Sequence, residues 1–234
     1  MKRFYQEVSI APATDGYRVL LDGRSIQTPA RRALMVPSAA LAEAVADEWR
    51  AQGETIERAS MLLTRLVSTA LDRMPALRVD AIDEVLGYAE TDLLCYRAAA
   101  PADLVLRQEE GWQPWLDWLA QSHGAQLVVT SRMRPVAQPE AALRRLRAVI
   151  EPQGDWQLVG LHAATTTLGS VVLGLALSGG AIEPEAALAA SLLDELFEIE
   201  RWGREREAER RHQALRQDVL AVARFAGCLR GRGL

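Results

Sequence analysis

The chain has 234 residues, 49% hydrophobic and 25% charged, with a net charge of -4 at pH 7. A chain of this length can bury a core without disulfide staples, and so mild a charge gives no electrostatic case for nucleic acid or an anionic membrane. Lys2 is the only lysine, which removes Schiff-base enzymes and P-loop nucleotide enzymes that need an interior lysine.

Cys95 and Cys228 belong to no paired motif, as suits a reducing compartment. The N-terminus, MKRFYQEVSI, has charge but no apolar run behind it, so no secretory signal is expected. A bacterial cytoplasmic protein is the simplest reading, with a processed protein of the mitochondrial matrix as the alternative.

The first segment reads as β. Short runs from Phe4 to Pro37 are separated by Thr14-Asp15-Gly16, Asp22-Gly23 and Pro29. Asp22-Gly23 between YRVLL and RSIQT predicts a two-residue hairpin, because both positions tolerate positive φ. From Ser38 the period becomes helical, with Leu41, Ala44, Val45 and Trp49 on one stripe and Ser38 as the N-cap. Further helices are expected at about 60–74, 78–97, 101–121 and 139–150. A β-like run, AQLVVTS, follows Gly124 and is placed back in the first sheet. The apolar stretch from Trp156 to Gly180 approaches a spanning length, but His162, three threonines and Ser170 interrupt it. It is expected as one central buried helix of a bundle, without membrane insertion. The class is therefore α+β: a small β-rich N-terminal domain, residues 1–58, before a larger, mainly helical domain, residues 59–234.

Chemistry-bearing motifs are scarce. No glycine-rich phosphate loop is present, and His123, His162 and His212 stand apart with no ligand spacing. No metal and no cofactor are expected. The arginine-rich REREAERRHQALRQ stretch interleaves Glu205, Glu207 and Glu209, which reads as a solvated, self-paired helix and not as a nucleic-acid face.

Two constellations remain. In VLGYAETDLLCYRA, continued helix would put Val85, Ala89, Leu93 and Tyr96 on the core stripe, with Tyr88, Asp92 and Cys95 beside it and Glu90 with Arg97 on the far side. The expectation is structural: Asp92 caps or pairs across helices. In LLDELFEIERWG, Leu192, Leu196, Ile199 and Gly203 form the expected core stripe, while Glu195, Glu198 and Trp202 share another face. Acids beside a tryptophan on a rigid helix suit protein docking. The rival is a small metal-independent, hydrolase-like enzyme using Asp92 or the Glu195/Glu198 pair; a helical scaffold with some other client is a third reading.

Taken in order, RFYQEVSI, YRVLLDGRSIQTPARRAL, LAEAVADEWRAQGETI, MLLTRLVSTALDR, YAETDLLCYRA and LDELFEIERWG resemble the assembly chaperones of the F-type ATP synthase catalytic head. The similarity runs from about Arg3 to Phe225, and YAETDLLCYRA followed by P-x-x-L-x-x-R-Q (Pro101 to Gln108) is its most specific part. The resemblance implies a chaperone without catalysis or cofactor, acting as a monomer on the unassembled alpha subunit until the beta subunit replaces it. It marks Glu195 as the functional acid, with Glu198 and Trp202 on the client face. Trp49, Tyr88, Glu90, Asp92, Arg97 and Gly203 fall in motif positions with structural roles. The chain departs from the family at Phe197-Glu198, where Trp-Gln is common, and at Arg204, where an acid is common.

Overall fold

The computed structural model describes residues 1–132, 136–203 and 206–231; Arg204 and Glu205 lie outside them. A small antiparallel sheet opens the chain: β1 (Val8–Ala13), β2 (Gly16–Leu21), β3 (Arg24–Ser25) and β4 (Met35–Val36), with β2 pairing all three others. Asp22 and Gly23 form the expected hairpin turn with φ of 46° and 75°, which matches the twist of the flanking strands. The Asp22 carboxylate also accepts the Gln6 and Glu7 amides at 3.0 and 2.8 Å, closing the open end of the β1–β2 hairpin. β1 is an edge strand and carries Pro12, tolerated where no neighbour needs the missing N–H.

Helix α1 (Ala39–Arg50) lies on this sheet. Ser38 caps it by accepting the Leu41 amide at 3.2 Å, and the same hydroxyl donates to the Cys228 carbonyl near the far end of the chain. Leu41, Ala44 and Val45 are buried as the stripe predicts. Trp49 is half-buried, edge-on to Tyr5 at 5.7 Å between ring centres, while the Tyr5 hydroxyl donates to the Trp49 carbonyl at 2.7 Å.

Glu48 joins the β-rich segment to the helices. Its carboxylate accepts the Leu63 and Thr64 amides at 2.7 and 2.8 Å, capping α2 (Leu62–Asp72), and burial raises its pKa against those bonds. The helices continue as α3 (Met74–Glu90), α4 (Ala102–His123), α5 (Glu140–Ile150), α6 (Asp155–Leu168), α7 (Val171–Gly179), α8 (Pro184–Ser191), α9 (Leu193–Trp202) and α10 (Arg206–Leu229). The α+β class holds: a small sheet, then a mainly helical region.

Three expectations are corrected. The Trp156–Gly180 stretch is not one helix but the hairpin α6–α7. Gly169 turns left-handed at φ 67° and Ser170 caps α7 by accepting the Leu173 amide at 3.1 Å, so the chain reverses where one helix was expected. A β-carbon at Gly174 would lie 2.3 Å from Thr165 Oγ1, so glycine there sets how closely the two helices approach. α6 packs against α2, α3, α7 and α10, and this hairpin is the centre of the core. No helix among the described residues is long and apolar enough to cross a membrane. Next, the AQLVVTS run does not rejoin the first sheet; Thr130 makes an isolated parallel bridge to Tyr96. Lastly, the 78–97 helix ends at Glu90.

Candidate functional site

That early stop determines what the YAETDLLCYRA residues do. Thr91 leaves helical geometry at φ -131°, and Leu93–Cys95 makes a single 3-10 turn. Asp92 is wholly buried between them. Its carboxylate accepts the Leu94 amide at 3.0 Å, the Ser170 hydroxyl at 2.9 and 3.0 Å and the Val172 amide at 3.3 Å. It therefore caps its own turn and the start of α7 together. Burial raises its pKa to about 6, and the bonds from Leu94, Ser170 and Val172 work against that rise.

The cross-helix cap expected of Asp92 is present and Arg97 pairs with a neighbour, Glu109, but Glu90 and Arg97 do not share the face that a continued helix would give them. With the helix broken between them, Glu90 stays exposed at the end of α3 and Arg97 turns toward α4. The Arg97 guanidinium donates to the Leu94 carbonyl at 2.8 Å, the Gln108 carbonyl at 3.0 Å and Glu109 at 3.3 Å, and it lies over the Trp112 ring. Tyr88 is half-buried against the core. Cys95 is buried, and burial pushes its thiol up to about 12, leaving almost no thiolate at neutral pH.

α4 carries this arrangement to α9. Gln108, buried in α4, accepts the Ala98 amide and donates to Asp194 of α9, both at 2.7 Å. Arg107 pairs with Glu200 at 2.7 Å, and Asp103 pairs with Arg201 at 2.5 Å. Phe197 is the only α9 side chain that is fully buried, and it sits beneath the guanidinium groups of Arg107 and Arg201. Trp112 Nε1 donates to the Ala190 carbonyl at 2.8 Å and fixes α8 ahead of it.

The expected core stripe holds at Leu192, which is buried just ahead of α9, but along α9 itself the buried side chain is Phe197. Phe197 faces α4, whereas Leu192 and Leu196 line a shallow groove shared with Leu188 of α8 and His212 of α10. Ionic anchors to α4 fix the helix phase here, and they are invisible to an apolar-period count. Gly203 ends the helix at φ 91°, a left-handed value that favours glycine.

The three residues expected on the client face meet different environments. Glu195 is partly buried and paired with Arg211 and His212 of α10, with His212 Nε2 at 2.8 Å. The hydrogen bond from Arg211 comes first among the causes that hold its carboxyl below the usual range. Glu198 is exposed, and among the described residues it has no ion-pair partner. Trp202 is 85% exposed, the most exposed large hydrophobic residue described. Both acids lie on one helix, not on opposite walls of a cleft as paired carboxylate catalysis requires.

Asp103, Arg107, Gln108, Asp194 and Phe197 were missed as a set. One signal was available: Gln108 shares the i, i+4, i+8, i+11 stripe with Trp112, Leu116 and Leu119, all buried. A polar residue in such a stripe needs a specific partner.

The sequence profile of the family described as ATP12 chaperone protein matches residues 2–120. The crystal structure of Atp12 from Paracoccus denitrificans superposes with a TM-score of 0.91 at 38% identity, covering 97% of both chains. A crystal structure from Agrobacterium tumefaciens gives 0.93 at 35% identity, over 97% of this chain and 86% of that one. The mitochondrial protein atp12 of Schizosaccharomyces pombe is 22% identical over 241 residues, or 97% of this chain and 83% of the relative. The relatives thus come from bacteria and from a mitochondrion, and the chain belongs to the ATP12 chaperone family.

Proposed function

We propose that this chain is an assembly chaperone for the F1 catalytic head of ATP synthase. It binds the unassembled alpha subunit and shields its interface until the beta subunit takes that place. The physical need is plain, since an obligate interface resembles a core cut in half and aggregates when unpartnered. The observation that carries the reading, beside family membership, is the outer face of α9. A helix seated on α4 and α10 presents a nearly fully exposed tryptophan, the residue type most enriched at the energetic centres of protein-docking surfaces.

In this reading residues 1–58 and 59–234 are a β-rich and a helical module, and the helical one carries the client face of Glu195, Glu198 and Trp202. The protein acts as a monomer and without a cofactor, on a protein client alone, in the bacterial cytoplasm or the mitochondrial matrix. Two features favour it over a hydrolase-like enzyme. The Asp92 carboxylate is sealed from solvent by the groups it caps, and Glu195 is engaged by α10.

The test is capture of purified alpha subunit by immobilised protein, followed by addition of beta subunit. Retention of alpha, with release on adding beta, is expected. No retention across a range of salt concentrations would overturn the reading.

A further inference from the structure

α9 carries four acids, and three of them are engaged: Asp194 by Gln108, Glu195 by Arg211 and His212, and Glu200 by Arg107. Glu198 alone among them has no partner among the described residues. Trp202 follows it by four positions, one turn along the same face of the helix. A tryptophan that is 85% exposed, one helical turn from a carboxylate without a partner among the described residues, makes one recognisable seat. A flat cation can stack on the ring while donating to the acid, and both attractions favour arginine over lysine.

We infer that Glu198 and Trp202 form a seat for an arginine side chain of the client, and that Glu195, assigned above to the client face, acts there as a positioning residue that holds α9 to α10 without touching the client. This rests on the chaperone reading above and names the chemistry of its contact. Glu195 clips α9 to α10, Asp103 and Arg107 clip it to α4, and the seat stands on the remaining free side. Charge complementarity supports the choice of occupant. Of the acids in LDELFEIERW, Glu195 and Glu200 are met by arginines from α10 and α4, Glu198 is met by no cation among the described residues, and the segment's one arginine, Arg201, is already paired with Asp103.

The experiment measures alpha-subunit affinity for the full chain and for Glu198→Gln, Trp202→Leu, Trp202→Phe and Glu195→Gln. Amide exchange of residues 193–203 is followed in each. Glu198→Gln and Trp202→Leu should each weaken binding roughly ten-fold with α9 exchange unchanged, as expected for loss of one charge-assisted or cation–π contact. Trp202→Phe, which keeps an aromatic face, should restore most of the affinity. Affinity in Glu198→Gln should also fall less steeply with salt, because one of the screened attractions is gone. Glu195→Gln should weaken binding only together with faster exchange across α9.

If unmodified protein fails to bind alpha, the chaperone reading falls. If it binds while Glu198→Gln and Trp202→Leu match it, the arginine seat alone is overturned. Trp202→Leu binding as well as Trp202→Phe would also overturn it, since apolar bulk without a π face would then suffice. Glu195→Gln losing affinity with α9 exchange unchanged would return Glu195 to direct contact.

Discussion

α7 and α9 are of similar length and separated in sequence only by the short α8, yet opposite forces seat them. α7 buries seven residues, from Val171 to Leu177, in the middle of the core. α9 buries only Phe197 and is otherwise held by ion pairs and amide hydrogen bonds reaching from α4 and α10. Burial is strong and non-directional, at roughly 25 cal/mol per Å² of apolar surface. Exposed ion pairs contribute about 0–1 kcal/mol each but fix geometry. The stable part of the molecule is thus its centre, while the proposed working helix is placed accurately at small energetic margin.

The largest expected effect is on the centre. Asp92→Ala leaves the Leu94 and Val172 amides and the Ser170 hydroxyl without their buried acceptor, at about 1–3 kcal/mol per group. A loss of about 3 kcal/mol or more in urea unfolding is expected, and a change below about 1 kcal/mol would show that the cap is dispensable. Phe197→Ala comes next and sharpens the contrast. Removing a buried phenylalanine costs about 3 kcal/mol or more, but here the cost should appear as local opening. Amide exchange should accelerate over 193–203 and stay unchanged over 171–179; uniform acceleration would mean that α9 is integral to the core.

pH gives the third effect. Asp92 has its folded pKa raised to about 6, above an unfolded value of about 3.9. Between these values the folded state binds the extra proton, so this group's contribution to stability is fully present below about 4 and is lost as pH rises through about 6. Stability measured from pH 7 to pH 5 should rise relative to Asp92→Asn, and parallel curves for the two proteins would refute the burial argument. The smallest effect is Asp103→Asn, which removes one exposed clip to Arg201. Melting of the whole protein should not change measurably, while exchange of the last turn of α9 should quicken.

Where structure is set by neighbours in sequence, the chain was legible. The Asp22-Gly23 hairpin, the Ser38 cap and the Leu41–Ala44–Val45 stripe all follow from local rules, and all are present. Where it is set by distant polar partners, periodicity misled. Asp92 stops a helix that the apolar spacing would continue, because its cap partner Ser170 lies 78 residues away. Ser170 likewise ends the apparent long helix between Trp156 and Gly180. The phase of α9 depends on Arg107, Gln108 and Asp103, which no window around Leu193–Trp202 contains. The exposure of Glu198 and Trp202 was readable, since the helix wheel places both apart from Phe197. The difference between an engaged Glu195 and a free-standing Glu198 was not, because it resides in α10.

The central claim is that the chaperone meets its client through α9. Amide exchange of the full chain, alone and with excess alpha subunit, tests it most directly. Protection is expected across residues 193–203, with little change over 171–179. Alpha-dependent protection confined to the N-terminal sheet, with α9 exchanging as in the free protein, would contradict the account.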